Sequence, residues 1–386
     1  MTQPIRVLQF ITPAGFYGAE RWVLALANNL DHQSVVCDLA VTRESESQDL
    51  TLAEAFPEQA GEVHYLDMKG RFDFSVVRKL AEVIKSRHID IIHTHGYKSD
   101  ILGLLAAKHA GIRCLSTPHG FSGKTGWKLA TFIRIGTHML RYFDAVAPLS
   151  EELVSDMARF GVPAGRTQLI RNGVDLTEID ALVTTTTGES EKVPVHKTLG
   201  FIGQMIPRKG LPDLLEVFDR LYREDSSIRL ELLGDGRQRN ELESQAQGRK
   251  SGQAVSFLGF RADRLERLSG FNLFVMTSSL EGIPRCMMEA MAMGVPIVAY
   301  DIPGVDQLIE HGKTGLLAPH GDLDTLEKLC RELLSNDQLA ARLVANARKL
   351  IVDRYSAARM ARQYERLFEE LVSGDYGVSS SEGRAG

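Results

Sequence analysis

The sequence predicts an α/β protein of two successive domains, each built on a parallel sheet, and three observations carry that prediction. Short apolar runs rich in β-formers alternate with helical patterns along the whole chain, the signature of βα units. The alternation is broken once, by the polar, aromatic-free stretch Thr184-Thr-Thr-Thr-Gly-Glu-Ser-Glu191, a natural domain boundary. The length of 386 residues also exceeds what a single core usually supports.

Composition narrows the class. With 44% apolar and 25% charged residues the chain reads as a globular protein, and a net charge of -5 gives no reason to expect nucleic acid as a partner. Cys37, Cys114, Cys286 and Cys330 are far apart and lack CxxC spacing, so neither a zinc site nor a disulfide framework is indicated. The apolar run Ile5 to Ile11 is too short for a signal peptide, and no stretch approaches the roughly 20 apolar residues of a membrane span. The expected compartment is the cytoplasm.

In order, Ile5 to Ile11 predicts a buried strand that runs through Gly15-Phe-Tyr-Gly18 into a helix ending at Leu30. A glycine-containing loop thus opens onto a helix N-terminus, where backbone N–H groups can face an anion, although the same spacing fits a plain tight turn. Val35 to Val41 predicts a strand, Asp73 to Arg87 a helix, and Ile89 to His93 a strand that leads into His95. The rings of His93 and His95 are expected on opposite faces of the strand end with no further ligand, which argues against a metal. A helix from Ser99 to His109 and a strand from Arg113 to Thr117 lead to Pro118-His119-Gly120. His119 there either faces a cleft or caps a backbone carbonyl. The helix pattern from Lys124 to Tyr142 mixes Lys124, Lys128, Arg134 and Arg141 with Trp127, Phe132 and Ile133. Such a segment over 124–141 can lie on an anionic membrane surface, or simply turn its apolar side inward. A strand from Asp144, a helix from Glu151 to Phe160, and a strand Gln168 to Asp175 ending in Asn172-Gly-Val-Asp175 complete the first half.

The second series opens with the strand Thr198 to Gly203, followed by Gln204-Met-Ile-Pro-Arg208-Lys209-Gly210 and a helix to Leu221. The adjacent bases Arg208 and Lys209 precede a helix, so their charges add to its free amides and favour a phosphate-bearing ligand; adjacent bases are also common as plain surface charge. Strands at Ile228 to Leu233 and Val255 to Leu258 end in Gly234-Asp-Gly236 and Gly259. The apolar run Phe271 to Thr277 then leads into Glu281-Gly-Ile-Pro-Arg-Cys-Met-Met-Glu289. Strand, loop and helix place Glu281 just past a strand's carboxyl end and Glu289 early on the following helix, the corner where open α/β sheets bind ligands. Asp322-Leu-Asp324 has the spacing of a metal-binding pair but immediately precedes a helical run, where Asp is a routine N-cap. Leucine- and arginine-rich helices fill 323–372, and 374–386 reads as a disordered tail.

Taken together, Gly18-Ala-Glu-Arg, His119-Gly120, Asn172-Gly-Val-Asp175, Gly203-x4-Arg-Lys209-Gly210, Gly234-Asp-Gly236, Glu281-x7-Glu289 and Gly312-Lys-Thr-Gly-Leu-Leu317 closely resemble the retaining GT-B glycosyltransferases of family GT4. The resemblance spans roughly residues 5–372. It implies two Rossmann-like doubly wound domains facing a central cleft: 1–178 for the acceptor, joined by a returning helix at 356–372, a polar linker at 179–194, and 195–355 for a nucleotide-sugar donor. It implies that Lys209 binds the donor pyrophosphate, Glu289 the ribose and Glu281 the transferred sugar, with His119 beside that sugar. Gly18 lets the backbone approach the phosphate or acceptor, the loop Gly282, Ile283, Pro284 and Arg285 adds amides to the phosphate site, and Gly234 and Gly259 border the base. The resemblance also implies a saccharide or lipid-linked acceptor hydroxyl and chemistry that requires no cofactor or metal. The chemistry agrees with these roles, because a carboxylate accepts two vicinal hydroxyls at once and a base plus a helix N-terminus can stabilise a leaving diphosphate.

Two departures stand out. Gln204 occupies the place of an Arg that normally helps hold the pyrophosphate, with Arg208 as the candidate replacement, and Pro303-Gly304 with Gln307 replace a Gly-Gly pair and a Glu. The expected function is therefore a retaining hexosyltransferase of cell-surface polysaccharide or glycolipid synthesis, cytoplasmic or peripheral on the inner membrane face. The alternatives are a catalytically weakened nucleotide-sugar-binding partner subunit and a nucleotide-sugar epimerase on the same fold.

Overall fold

The computed structural model describes residues 3–13, 15–70, 73–120, 127–189 and 196–376. The chain forms two compact units, one of residues 1–173 with 357–386 and the other of 174–356.

In the first unit six strands, β1 Ile5–Ile11, β2 Val35–Arg43, β3 Val63–Asp67, β4 Ile91–Thr94, β5 Arg113–Ser116 and β6 Ala145–Val146, form a sheet in the order β3-β2-β1-β4-β5-β6. Every pairing is parallel, with Val7 of β1 opposite Cys37 of β2 and Ile91 of β4. Side chains alternate across β1, so Val7 and Ile11 enter one core with Trp22 and Phe368, while Leu8 and Phe10 enter the other with Leu80 and Leu102. Both faces are covered, which is why the strand reads as a nearly continuous apolar run.

The helix Ala357–Ser373 belongs to this unit. Met360, Ala361, Tyr364, Leu367, Phe368 and Leu371 recur at three- and four-residue spacing and all are buried against the sheet and the helix Gly18–Asn29.

The second unit repeats the plan. Its strands β7 Thr198–Ile202, β8 Arg229–Leu233, β9 Val255–Gly259, β10 Leu273–Met276, β11 Ile297–Asp301 and β12 Leu316–Pro319 stand in the order β12-β11-β10-β7-β8-β9, all parallel. Counted within each unit the order is the same, with the winding reversing between the first and fourth strands. That reversal leaves a crevice at the carboxyl ends of β1 and β4, and another at β7 and β10.

Some expectations fail locally. Gln168 to Asp175 is not a strand; it carries an isolated bridge at Val174, with another at Thr167 just before it. Leu176–Glu189 is a helix where a polar linker was expected from 179 onward. The Asp175 carboxylate accepts from the Thr177 N–H at 3.0 Å, and Leu176, Ile179, Leu182 and Val183 pack on the core, so tertiary burial carries the helix past the first threonines. In the expected tail, Tyr376 packs on the first unit's core, and residues 377–386 lie outside the described residues.

Candidate active site

The second unit's crevice is assembled by two loops that leave neighbouring strands. The loop after β7 ends in the short turn Pro207–Lys209, and the loop after β10 leads to Glu281. They are stitched together: Ser279 N–H donates to the Arg208 carbonyl at 2.8 Å and the Thr277 hydroxyl to the Lys209 carbonyl at 3.0 Å. Gly210 makes the approach feasible, having a φ of +60° and a position where a β-carbon would lie 2.1 Å from the Thr277 carbonyl oxygen.

This stitching brings the two expected donor-binding charges together. Lys209 Nζ lies 2.5 Å from Glu281 Oε1, and both residues are only 6% exposed. Arg208 Nη1 donates to Glu281 Oε2 at 3.3 Å and to the Leu280 carbonyl at 2.8 Å. Arg208 is therefore turned onto Glu281, and two cations neutralise one carboxylate, leaving net positive charge at the crevice. Gln204 is exposed on the same loop.

Glu289 is held by a second cluster. On the helix Arg285–Met293 its Oε1 accepts from Arg285 Nε and Arg264 Nη2, each at 3.0 Å, and the residue is 2% exposed. Burial raises the Glu178 carboxyl, which lies within the field of Arg264, Glu289 and Arg285. Arg264 was not singled out in the sequence; it stands in an ordinary charged stretch, and only its position at the start of the helix Arg264–Ser269 brings it to Glu289. Pro284 is the N-cap, and its carbonyl accepts from the Met287 and Met288 N–H groups at 3.1 and 3.2 Å, which leaves the amides of Arg285 and Cys286, the first two helical positions, as the ones that can face an anion. Behind this loop Gly304, at φ +90°, lies so close that a β-carbon would fall 1.8 Å from the Gly282 carbonyl oxygen. A β-carbon on Gly282 itself meets nothing within 4 Å, so the backbone at Gly282 borders open space. Gly234 N–H donates to the Gly259 carbonyl at 2.7 Å, pairing the two loops expected near the base. Cys286 sits among these charges, but burial pushes its thiol up to about 12, which removes it as a nucleophile. Asp322 caps its helix through the Thr325 N–H, and Asp324 pairs with Arg220 at 2.8 Å.

The first unit carries His119 at the carboxyl end of β5. His119 caps no carbonyl: its Nε2 lies 3.2 Å from His95 Nδ1. His93 and His95 do not point to opposite faces. Their ring centroids are 4.4 Å apart, because residues two apart on a strand share a face. His95 Nε2 meets Gln9 Oε1 at 2.7 Å, His93 Nε2 meets the Thr117 hydroxyl at 2.8 Å, and Thr117 in turn meets the Tyr364 hydroxyl at 2.8 Å. The Trp22 ring touches all three imidazoles and Tyr364. No group of three or more His, Cys, Asp or Glu suited to a metal ion occurs among the described residues. Gly18 opens the helix at the end of β1, and a β-carbon there meets nothing within 4 Å. Residues 124–126 of the basic segment lie outside the described residues; farther along, Arg141 Nη2 donates to the Phe160 carbonyl at 2.9 Å. No helix among the described residues is long and apolar enough to cross a membrane.

Charge is excluded from the histidine cluster. Burial, then repulsion from neighbouring imidazoles, holds His93 and His95 well below the usual range, and burial pushes His119 down to about 3. Below pH 6.5 the unfolded chain therefore binds protons that the folded chain rejects; stability is full above 6.5 and falls as pH drops, by about 1.4 kcal/mol per unit for each such histidine. Asp100 acts in the opposite sense, since burial pushes its carboxyl up to about 7 against the ordinary 3.8 and the folded state holds that proton longer. With three groups against one, the first unit should be about 3 kcal/mol less stable at pH 5 than at pH 7. Urea unfolding at the two pH values measures this, and an unchanged midpoint would contradict it.

Two like-wound parallel sheets with helices on both faces have the architecture of the GT-B fold, and the second carries the lysine–glutamate pair at the carboxyl ends of its strands. The chain belongs to the family 4, group 1 glycosyltransferases: residues 16–178 match the family described as Glycosyltransferase Family 4 and residues 186–350 match Glycosyl transferases group 1. Over 318 residues it is 25% identical to the N-acetyl-alpha-D-glucosaminyl L-malate synthase of Bacillus anthracis, covering 79% of this chain and 81% of that protein. It is also 25% identical over 317 residues to a UDP-Gal:alpha-D-GlcNAc-diphosphoundecaprenol alpha-1,3-galactosyltransferase of Escherichia coli, covering 78% and 80%. The crystal structure of Anabaena HepE in complex with UDP superposes with a TM-score of 0.78 at 20% identity, covering 95% of this chain and all of that one.

Proposed function

We propose that the protein is a retaining hexosyltransferase that moves a sugar from a nucleoside diphosphate, UDP being the first candidate, to a hydroxyl of a saccharide or lipid-linked acceptor. The reading includes metal-independent chemistry and a role in cell-surface polysaccharide or glycolipid synthesis at the cytoplasmic face of a membrane. The observation that carries it is the buried Lys209–Glu281 pair at the β7–β10 crevice, 2.5 Å apart, with Glu289 on the helix that follows.

In this reading Lys209 and the first-turn amides around Gly282 to Arg285 receive the diphosphate and stabilise the charge that develops as it leaves. When the phosphate engages Lys209, Glu281 is freed to accept hydroxyls of the transferred sugar. Glu289, oriented by Arg264 and Arg285, accepts the ribose hydroxyls. Gly234 and Gly259 border the base, Gly18 faces the phosphate or acceptor, and His119 lies beside the sugar. Arg208 supplies the positive charge that Gln204 lacks. The names of the two relatives, one acting on a small hydroxy acid and one on a diphosphoundecaprenol sugar, support an acceptor hydroxyl without deciding its carrier.

A thermal-shift panel of UDP-, GDP- and ADP-sugars in chelator tests the donor. A cognate donor at 100 times its Kd adds about 2.7 kcal/mol, a rise of several degrees. Product made from the stabilising donor should keep the donor's anomeric configuration by NMR. Stabilisation only with added divalent cation, or an inverted product, would overturn the reading. Tight binding without turnover on any acceptor would favour the partner subunit, and an epimerised free donor the epimerase.

A further inference from the structure

The first unit holds a chain of three hydrogen-bonding groups that ends at His119 and decides which of its ring nitrogens carries the proton. Gln9 projects from β1, fully buried, with its carbonyl oxygen 2.7 Å from His95 Nε2 and its amide nitrogen without a hydrogen-bond partner on the side of Cys37. A carbonyl oxygen only accepts, so His95 carries its proton on Nε2. A neutral imidazole has one N–H, which leaves His95 Nδ1 as a bare lone pair facing His119 Nε2 at 3.2 Å. That contact requires a donor, and His119 must supply it. His119 therefore bears its proton on Nε2, and its Nδ1 is an acceptor.

The argument needs neutral rings, and the cluster enforces them. His95 is 4% exposed, among the described residues no carboxylate hydrogen-bonds any of the three imidazoles, and the Trp22 ring packs against His95 and His119 with centroids 5.2 and 5.3 Å away. Burial then disfavours the cation at every position.

We propose that Gln9 and His95 are positioning residues that lock His119 in its Nε2–H tautomer, so that Nδ1 is presented as a fixed hydrogen-bond acceptor for a hydroxyl of the transferred sugar or of the acceptor. The inference rests on the reading of His119 as a site residue. It explains why a buried amide stands in β1 between the buried apolar residues Leu8 and Phe10: an apolar residue at position 9 would leave His95 free to take either tautomer, and His119 with it. It also gives the site a preference for a hydroxyl donor at that point over a group that can only accept.

The test is direct. In protein labelled with 15N-histidine, two-bond proton–nitrogen correlations distinguish Nε2–H from Nδ1–H rings, and His119→Gln assigns the His119 signals. Wild-type His95 and His119 should both be Nε2–H from pH 6 to 8. In Gln9→Met, which keeps the volume and removes the acceptor, or Gln9→Asn, which withdraws it, His119 should become a mixture of tautomers. Its kcat should then fall about tenfold, one hydrogen bond's worth, with the donor KM within about twofold. A wild-type His119 protonated on Nδ1, or either Gln9 variant with an unchanged tautomer, overturns the relay. Full turnover in His119→Ala would instead overturn the placement of His119 at the site, while the tautomer measurement would stand.

Discussion

Lys209→Ala and Glu281→Ala are each expected to lower donor turnover about a hundredfold, a loss of about 2.7 kcal/mol of transition-state stabilisation. Both residues are 6% exposed, so Glu281→Ala also leaves Lys209 as a buried uncompensated charge, and Lys209→Ala leaves Glu281 with only the longer Arg208 contact at 3.3 Å. Breaking a buried pair from one side costs about 3–5 kcal/mol of stability, so both variants should melt early as well as turn over slowly. The double variant Lys209→Met with Glu281→Gln separates the two effects. It removes both charges, so its melting temperature should recover towards wild type while its turnover stays low. Recovered turnover in the double variant would mean that the pair is structural and that the donor is gripped elsewhere. Steady-state kinetics alongside thermal denaturation of the three proteins decides the matter.

Ending the chain at Ser356 is expected to leave no folded first unit. The helix Ala357–Ser373 buries Met360, Tyr364, Leu367, Phe368 and Leu371 to 2% exposure or less, mostly against strands and helices from the other end of the sequence. At about 1.5–3 kcal/mol for each large side chain the lost burial is about 8–15 kcal/mol, as large as the whole stability of a typical domain. Tyr364 also closes the Thr117–His93 hydrogen-bond chain behind the histidine cluster. The truncated protein should keep the second unit's cooperative transition and lose the first unit's, as seen by limited proteolysis and circular dichroism. The milder Phe368→Ala, costing about 3–5 kcal/mol, covers the case in which the truncation cannot be purified. A protease-resistant first unit in the truncated chain would contradict the packing argument.

Much of the candidate site was legible because its parts are local. Lys209 and Glu281 each stand a few residues past the end of a strand, so alternation of strand and helix was enough to bring them to a sheet's carboxyl edge. Glycines 210, 234 and 304 could be recognised as special, but their reason is not local: each faces a carbonyl from a different loop, of Thr277, Gly203 and Gly282 respectively. Arg264 carried no signal at all, since a single arginine in a charged segment is unremarkable until the helix it starts is packed beside Glu289. The pair His93 and His95 was misread because strand periodicity was applied with the wrong sign, and Gln9 was passed over because it lies inside an apolar run. The Leu176–Glu189 helix was missed for a different reason: threonines disfavour helix weakly, and packing of four apolar side chains outweighs that preference.

The sequence by itself determined the two α/β halves, the strand ends that carry ligands, and the paired carboxylates, because these follow from periodicities of two and 3.6 residues and from short-range turn chemistry. Tertiary structure alone decided which charges meet. Strand order sets β7 beside β10, so Lys209 and Arg208 share Glu281 across 72 residues, and Glu289 acquires Arg264 from a helix 25 residues upstream. It likewise decided that Gln9, His95 and His119, spread over three strand ends, act as one hydrogen-bonded chain. Hydrogen bonds and ion pairs of a few ångströms depend on distances that no spacing along the chain encodes, and only the closed sheet supplies them.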